Sequence, residues 1–203
     1  MKLRNVIVLA SIAAIGFTAC GSDAKESTSS TAATVAGQEA TTVAPAGAAF
    51  NEADVEFAQG MIPHHEQAIE MADIALDPTV GASEVVKELA SRIKGEQDPE
   101  IQLMTGWLTA WGQPIQMTDD ATHDMSSMEG MMSADEMDML SAATGPGFDK
   151  IWQEMMIKHH DGAISMAQAQ KASGSNPEAL ALADQIIAAQ QTEIDEMNSN
   201  LAE

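Results

Sequence analysis

Thiols are almost missing from this chain of 203 residues, whose one cysteine is Cys20. Beyond that position no disulfide framework and no thiolate site can form, so a metal site would use His, Met, carboxylate or amide ligands. Tyrosine is absent and aromatic residues make up only 3%. Runs of aromatic and β-branched residues are correspondingly scarce, whereas Ala, Met, Leu, Glu and Gln dominate, which argues for helices and against sheet. Positive charge is also short. Nine Lys and Arg stand against 31 Asp and Glu, a net charge of −22. That balance excludes nucleic acid and anionic lipid surfaces as partners and favours cations, although part of it simply solvates the surface. The long apolar run Val6 to Phe17 is too short to span a bilayer as a stable helix.

That run follows Lys2 and Arg4 and precedes the small residues Thr18 and Ala19, the layout of a secretory signal. Cys20-Gly21-Ser22-Asp23 resembles a bacterial lipobox, in which Cys20 would be lipidated and become the mature N-terminus. Residues 1–20 are thus expected to be a lipoprotein signal peptide, and Cys20 the only membrane attachment of an exported protein of the cell envelope. Residues 21–49, rich in Ser, Thr, Ala and Gly, cannot bury enough apolar surface to offset ordering entropy and read as a disordered tether. Residues 50–203 are left to fold.

What is there is an internal repeat, which fixes architecture before any local reading. Met61-Ile-Pro-His-His-Glu-Gln-Ala-Ile-Glu-Met-Ala72 matches Met156-Ile-Lys-His-His-Asp-Gly-Ala-Ile-Ser-Met-Ala167, and the two hold four of the five histidines. Upstream, Asp54 and Phe57 match Asp149 and Trp152. Downstream, Gln97, Glu100, Ile101 and Met104 match Gln190, Glu193, Ile194 and Met197. On a helix, Asp54, Phe57, Met61, His64, His65, Ala68, Met71 and Ala72 fall within an arc of roughly 120°, with Glu66, Gln67 and Glu70 opposite. Asn51 suits the N-cap of this helix, Pro63 predicts a kink beside the His pair, and Asp77-Pro78 ends it. A second helix is expected from about Ser83 to Trp111, with Gln97 and Glu100 inside its apolar stripe. A buried carboxylate such as Glu100 needs a proton, a positive partner or a metal.

Residues 117–146 form a Met-rich connection, with His123, Met125, Met128, Met131 and Met132 packed into ten residues as candidate metal ligands of a second, weaker, loop-borne site. A short helix from Ser133 to about Ala142 is capped by Ser133 with Glu136 three positions on. Gly145-Pro146-Gly147 reads as a chain break. The copy of the first helix then starts near Phe148, and that of the second near Pro177 after a turn at 174–177. Two repeated hairpins and one long crossover give an all-α four-helix bundle.

The bundle interior therefore receives from each hairpin one Asp, two His, two Met (Met61 and Met71; Met156 and Met166), one Gln and one Glu. One such His would ordinarily be a satisfied core residue and a Met stripe core filler. Repetition on matching faces, opposite repeated Gln and Glu, points instead to a site. Imidazole suits copper, zinc, iron and nickel, while thioethers select Cu(I), so the His/Met mixture favours copper over zinc or iron.

The string Phe-x3-Met-Ile-x-His-His-x2-Ala-Ile-x-Met-Ala, followed by Gln-x2-Glu-Ile-x2-Met, resembles a bacterial family known as domain of unknown function 305. The resemblance spans about residues 50–203. It implies a ferritin-like fold, export, and for some members copper binding linked to copper resistance. It carries over His64, His65, His159 and His160 with Met61, Met71, Met156 and Met166 as ligands. Asp54, Asp149, Gln97, Glu100, Gln190 and Glu193 become ligands or their supports.

Three functions compete. The leading one is an exported, non-catalytic protein that buffers, sequesters or passes on copper, with Cu(I) or Cu(II) as cargo and a copper-transfer protein as a possible partner. A di-iron oxidase or peroxidase would use Glu-x2-His motifs, yet no Glu stands three residues before any histidine. A metal-free structural or interaction module would use the histidines only as hydrogen-bond partners.

Overall fold

The computed structural model describes residues 49–116 and 128–202. The signal segment with Cys20, the tether up to residue 48, and His123 and Met125 of the connection lie outside them. Among the described residues there are five helices and no strand: α1 (Glu52–Leu76), α2 (Glu84–Trp111), α3 (Ala134–Ala142), α4 (Gly145–Ser173) and α5 (Pro177–Leu201). None is long and apolar enough to cross a membrane.

Helix ends follow local chemistry. Asn51 caps α1 in a reciprocal capping box with Asp54, Ser83 caps α2, and Ser133 forms the same box with Glu136 on α3. Asn176 caps α5, whose first residue is Pro177. The expected break at Gly145-Pro146-Gly147 is instead the first turn of α4. Proline there loses no helical hydrogen bond, and Gly145 supplies the positive φ (58°) that lets the chain enter the helix. Helix α1 continues through Pro63, and α2 through Pro99.

Helices α1 and α2 form one antiparallel hairpin and α4 and α5 the other, and the hairpins meet along α1 and α4. These two run antiparallel, as their pairings show. Gln170 Nε2 donates to Asp54 at one end (2.5 Å), the rings of His64 and His159 meet in the middle, and Trp152 Nε1 donates to the Met71 carbonyl towards the other end (2.9 Å). Each hairpin also closes on the turn of the other. The α4–α5 turn donates its Ser175 and Asn176 N–H groups to Asp54, and Ser83 before α2 donates to Asp149 at 3.0 Å.

The core is layered. At one end Phe57, Ala58, Met61 and Ile62 pack with Met104, Trp107, Leu108, Ala163, Ala167 and Leu182. At the other, Ala68, Met71 and Ala72 pack with Leu89, Ile93, Phe148, Trp152, Met156, Ile194 and Met197. Between these apolar layers every long helix inserts polar side chains: His64 and His65, Gln97 and Glu100, His159 and His160, Gln190 and Glu193.

Candidate metal centre

All four paired histidines are fully buried. His65 and His160 occupy the same position of the two repeats and have the same kind of partner. Nε2 of His65 lies 2.7 Å from Glu100 Oε2, and Nε2 of His160 lies 2.8 Å from Glu193 Oε2. A carboxylate only accepts, so each Nε2 carries a proton, and in the neutral ring Nδ1 is the free acceptor. Neither Nδ1 has a hydrogen-bond partner. Carboxylates that hold one ring nitrogen and so present the other are the usual support of a histidine ligand. Glu100 and Glu193 therefore orient rings. Glu193 is itself held by Arg92, whose Nε stands 3.5 Å from Oε1, at ion-pair distance but outside hydrogen-bond geometry, since that oxygen has no hydrogen-bond partner.

His64 and His159 meet on the seam between hairpins, with ring centroids 3.8 Å apart and planes inclined at 43°. Nε2 of His64 donates to the Glu129 carbonyl at 3.3 Å, and its Nδ1 has no partner. His159 has no partner on either ring nitrogen. Burial, and then the neighbouring imidazole of His65, push His64 down to about 3. Burial likewise holds His159 well below its ordinary value, followed by the nearby ring of His64. Both rings are neutral at physiological pH, the state in which imidazole binds metal. An orphaned nitrogen in a dry interior costs about 1–3 kcal/mol. Five such nitrogens on four rings in one layer fit a site whose function is to receive a cation.

The remaining expected residues divide. Met61 and Met156 lie one helical turn from the His pairs, one in each apolar layer, and Met71 and half-buried Met166 lie on the far side of the same pairs. Gln97 and Gln190 are buried in the polar layer with their Oε1 atoms unpartnered. Asp54 and Asp149 stand apart, ten residues, or about 15 Å of helix, from the imidazoles. Their carboxylates are spent on the turns of the opposite hairpin, so the structure gives them a clasping task in place of the expected site role. Among the described residues no three His, Cys, Asp or Glu side chains converge as a ready cage. The rings that do meet are those of His64 and His159.

One contributor has no signal in the repeat itself. The connection returns across the α1/α4 seam as a turn in which the Met131 N–H donates to the Met128 carbonyl (3.2 Å) and Gly130 takes φ 84°. Gln67 clamps it from α1, donating to the Met132 carbonyl and accepting from its N–H at 2.9 and 2.7 Å. On α4 the backbones touch: a Cβ on Gly162 would lie 2.1 Å from the Glu129 carbonyl oxygen. Ser165 Oγ donates to Glu129, and Lys158 pairs with Glu136. Gln67 and Gly162 are the same position of the two repeats, as are Pro63 and Lys158, and Glu70 and Ser165. The repeats differ where they hold this strap. That mismatch was the available clue.

The match to known proteins settles the family. The model of the family described as Domain of unknown function (DUF305) covers residues 54–201. The chain belongs to the DUF305 family. Its fold is similar to that of a DUF305 protein from Streptomyces coelicolor considered secreted (32% identity, TM-score 0.68, covering 74% of this chain and 92% of the other). A DUF305 fragment from Deinococcus radiodurans matches similarly (31%, TM-score 0.66, 75% and 97%). CopM in its Cu(II)-bound form is also similar (32%, TM-score 0.61, 73% and 95%), and CopM has Cu(I)- and silver-bound forms as well. No curated protein matches this chain.

Proposed function

We propose that this DUF305 protein is an exported copper-binding protein that buffers, sequesters or passes on copper, without catalysis of its own. The observation carrying the reading is the seam: two neutral, buried imidazoles in tilted contact, centroids 3.8 Å apart, with unpartnered nitrogens. His65 and His160 stand beside them, each with Nδ1 unpartnered. His64, His65, His159 and His160 are the ligands, with Met61, Met71, Met156 and Met166 as thioethers on either side, a set that suits Cu(I) and tolerates Cu(II). The copper-bound forms of CopM support the assignment by likeness. Export follows from the signal-like start, Cys20 being the lipid anchor, and a copper-transfer protein is the partner a buffer of this kind would serve.

Two observations bear on the rivals. A di-iron centre needs carboxylates turned to a common point, whereas Glu100 and Glu193 are each turned onto a histidine. A metal-free network would account for those two pairs but leaves His159 without any partner. Competition with a chromophoric chelator tests the proposal. The unaltered protein should withdraw Cu(I), and His64→Gln with His159→Gln should weaken that by at least tenfold. Failure of the unaltered protein to take up either oxidation state would end the copper reading, and an oxo-bridged iron chromophore after aerobic iron loading would favour the enzyme.

A further inference from the structure

We infer that the turn at residues 128–132 and the seam histidines form one soft-cation site, with Met128 and Met131 as its thioether ligands and port of entry. The inference rests on the copper reading above and goes beyond it. The sequence alone separates a bundle site from a weaker loop-borne one, and the structure joins them. The turn sits on the histidines: the Glu129 carbonyl touches Nε2 of His64, and Gly130 packs on the backbone at His159 and Gly162. Met128 and Met131 are the two ends of that turn. Met131 is buried yet joins neither apolar layer, while Met128 is only half-buried. Met132, by contrast, is built into the apolar layer beside Met71 and Met156.

Access points the same way. Met61, Met71 and Met156 are fully buried in apolar packing, so none can meet an arriving ion. Met128 can, through a flexible unbranched side chain ending in a soft sulfur. Among the described residues, Nε2 of His64 meets only a carbonyl of the turn itself, at a distance long for such a bond. A small shift of the turn, with the ring proton moving to Nδ1, frees that nitrogen beside His159. Among the described residues there are two His pairs but one turn of this kind, because Gln67 and Gly162 hold it to one face. One soft cation at this seam is the consequence.

Silver(I), a redox-inert monovalent soft ion, tests this by titration of the full chain against a competing chelator. Met128→Leu with Met131→Leu should weaken the tight site at least tenfold, as should His64→Gln with His159→Gln, and combining all four should add little to either pair. Gly162→Ala, whose methyl displaces the turn, should reproduce the loss with helical circular dichroism unchanged. In NMR spectra, the His64 and His159 ring signals should move on silver addition in the unaltered protein and stay still in the Met128/Met131 variant. Full affinity in that variant, or losses that add when the pairs are combined, overturns the shared site while leaving copper binding intact. No silver uptake by the unaltered protein overturns both.

Discussion

Asp54 shows how a carboxylate in a buried polar setting is held by its surroundings. Burial alone would raise its pKa, but hydrogen bonds from Asn51, Gln170, Asn176 and Ser175 outweigh that and hold it below its ordinary 3.8. A carboxyl group with a depressed folded pKa contributes stability that is present above the unfolded value and disappears as pH falls through the folded one. Asp54→Asn should therefore destabilise the bundle by about 1.5–3 kcal/mol near neutrality, the range for hydrogen bonds to a charged group. The gap to the unaltered protein should close only below pH 3.8. Urea melts across a pH series measure it, and a gap indifferent to acid would show that geometry and not charge is at work. The sequence placed Asp54 on the inner face but could not give its task, because most of its partners lie more than a hundred residues away.

Among the elements, caps and turns were legible because their causes are local: Asn51, Ser83, Ser133 and Asn176–Pro177 sit where their side chains satisfy the first helical N–H groups. The strap was not legible, since a glycine at 162 has meaning only when a backbone arrives there from thirty residues upstream. Helix α3 lies between these cases. Nine residues make a helix that is marginal alone, and Leu140 is its single fully buried side chain. Leu140→Ala should release it. Amide exchange across 134–142 should rise roughly 30-fold or more, matching about 2–5 kcal/mol for such a truncation, while α1, α2, α4 and α5 keep their protection. Equal acceleration throughout would mean that α3 unfolds only with the whole bundle.

Across the molecule, the duplicated hairpin places its polar layer between two apolar ones, an arrangement the repeat made readable and one that weakens the empty bundle. His64 and His159 contribute three buried ring nitrogens without partners, each costing about 1–3 kcal/mol. Leucine is close to histidine in size and carries no polar atom. His64→Leu with His159→Leu should therefore raise the metal-free melting temperature, by about 2–4 °C for each kcal/mol recovered in a domain of this length. Metal reverses the order. At a free concentration one hundred times its dissociation constant, a cation that binds only the folded state adds about 2.7 kcal/mol to the unaltered protein and nothing to the variant. Calorimetry with and without silver(I) should show the two melting temperatures approach or cross. A variant that melts lower even without metal would make the paired imidazoles a structural asset, and the metal-free reading would then explain the layer better than copper does.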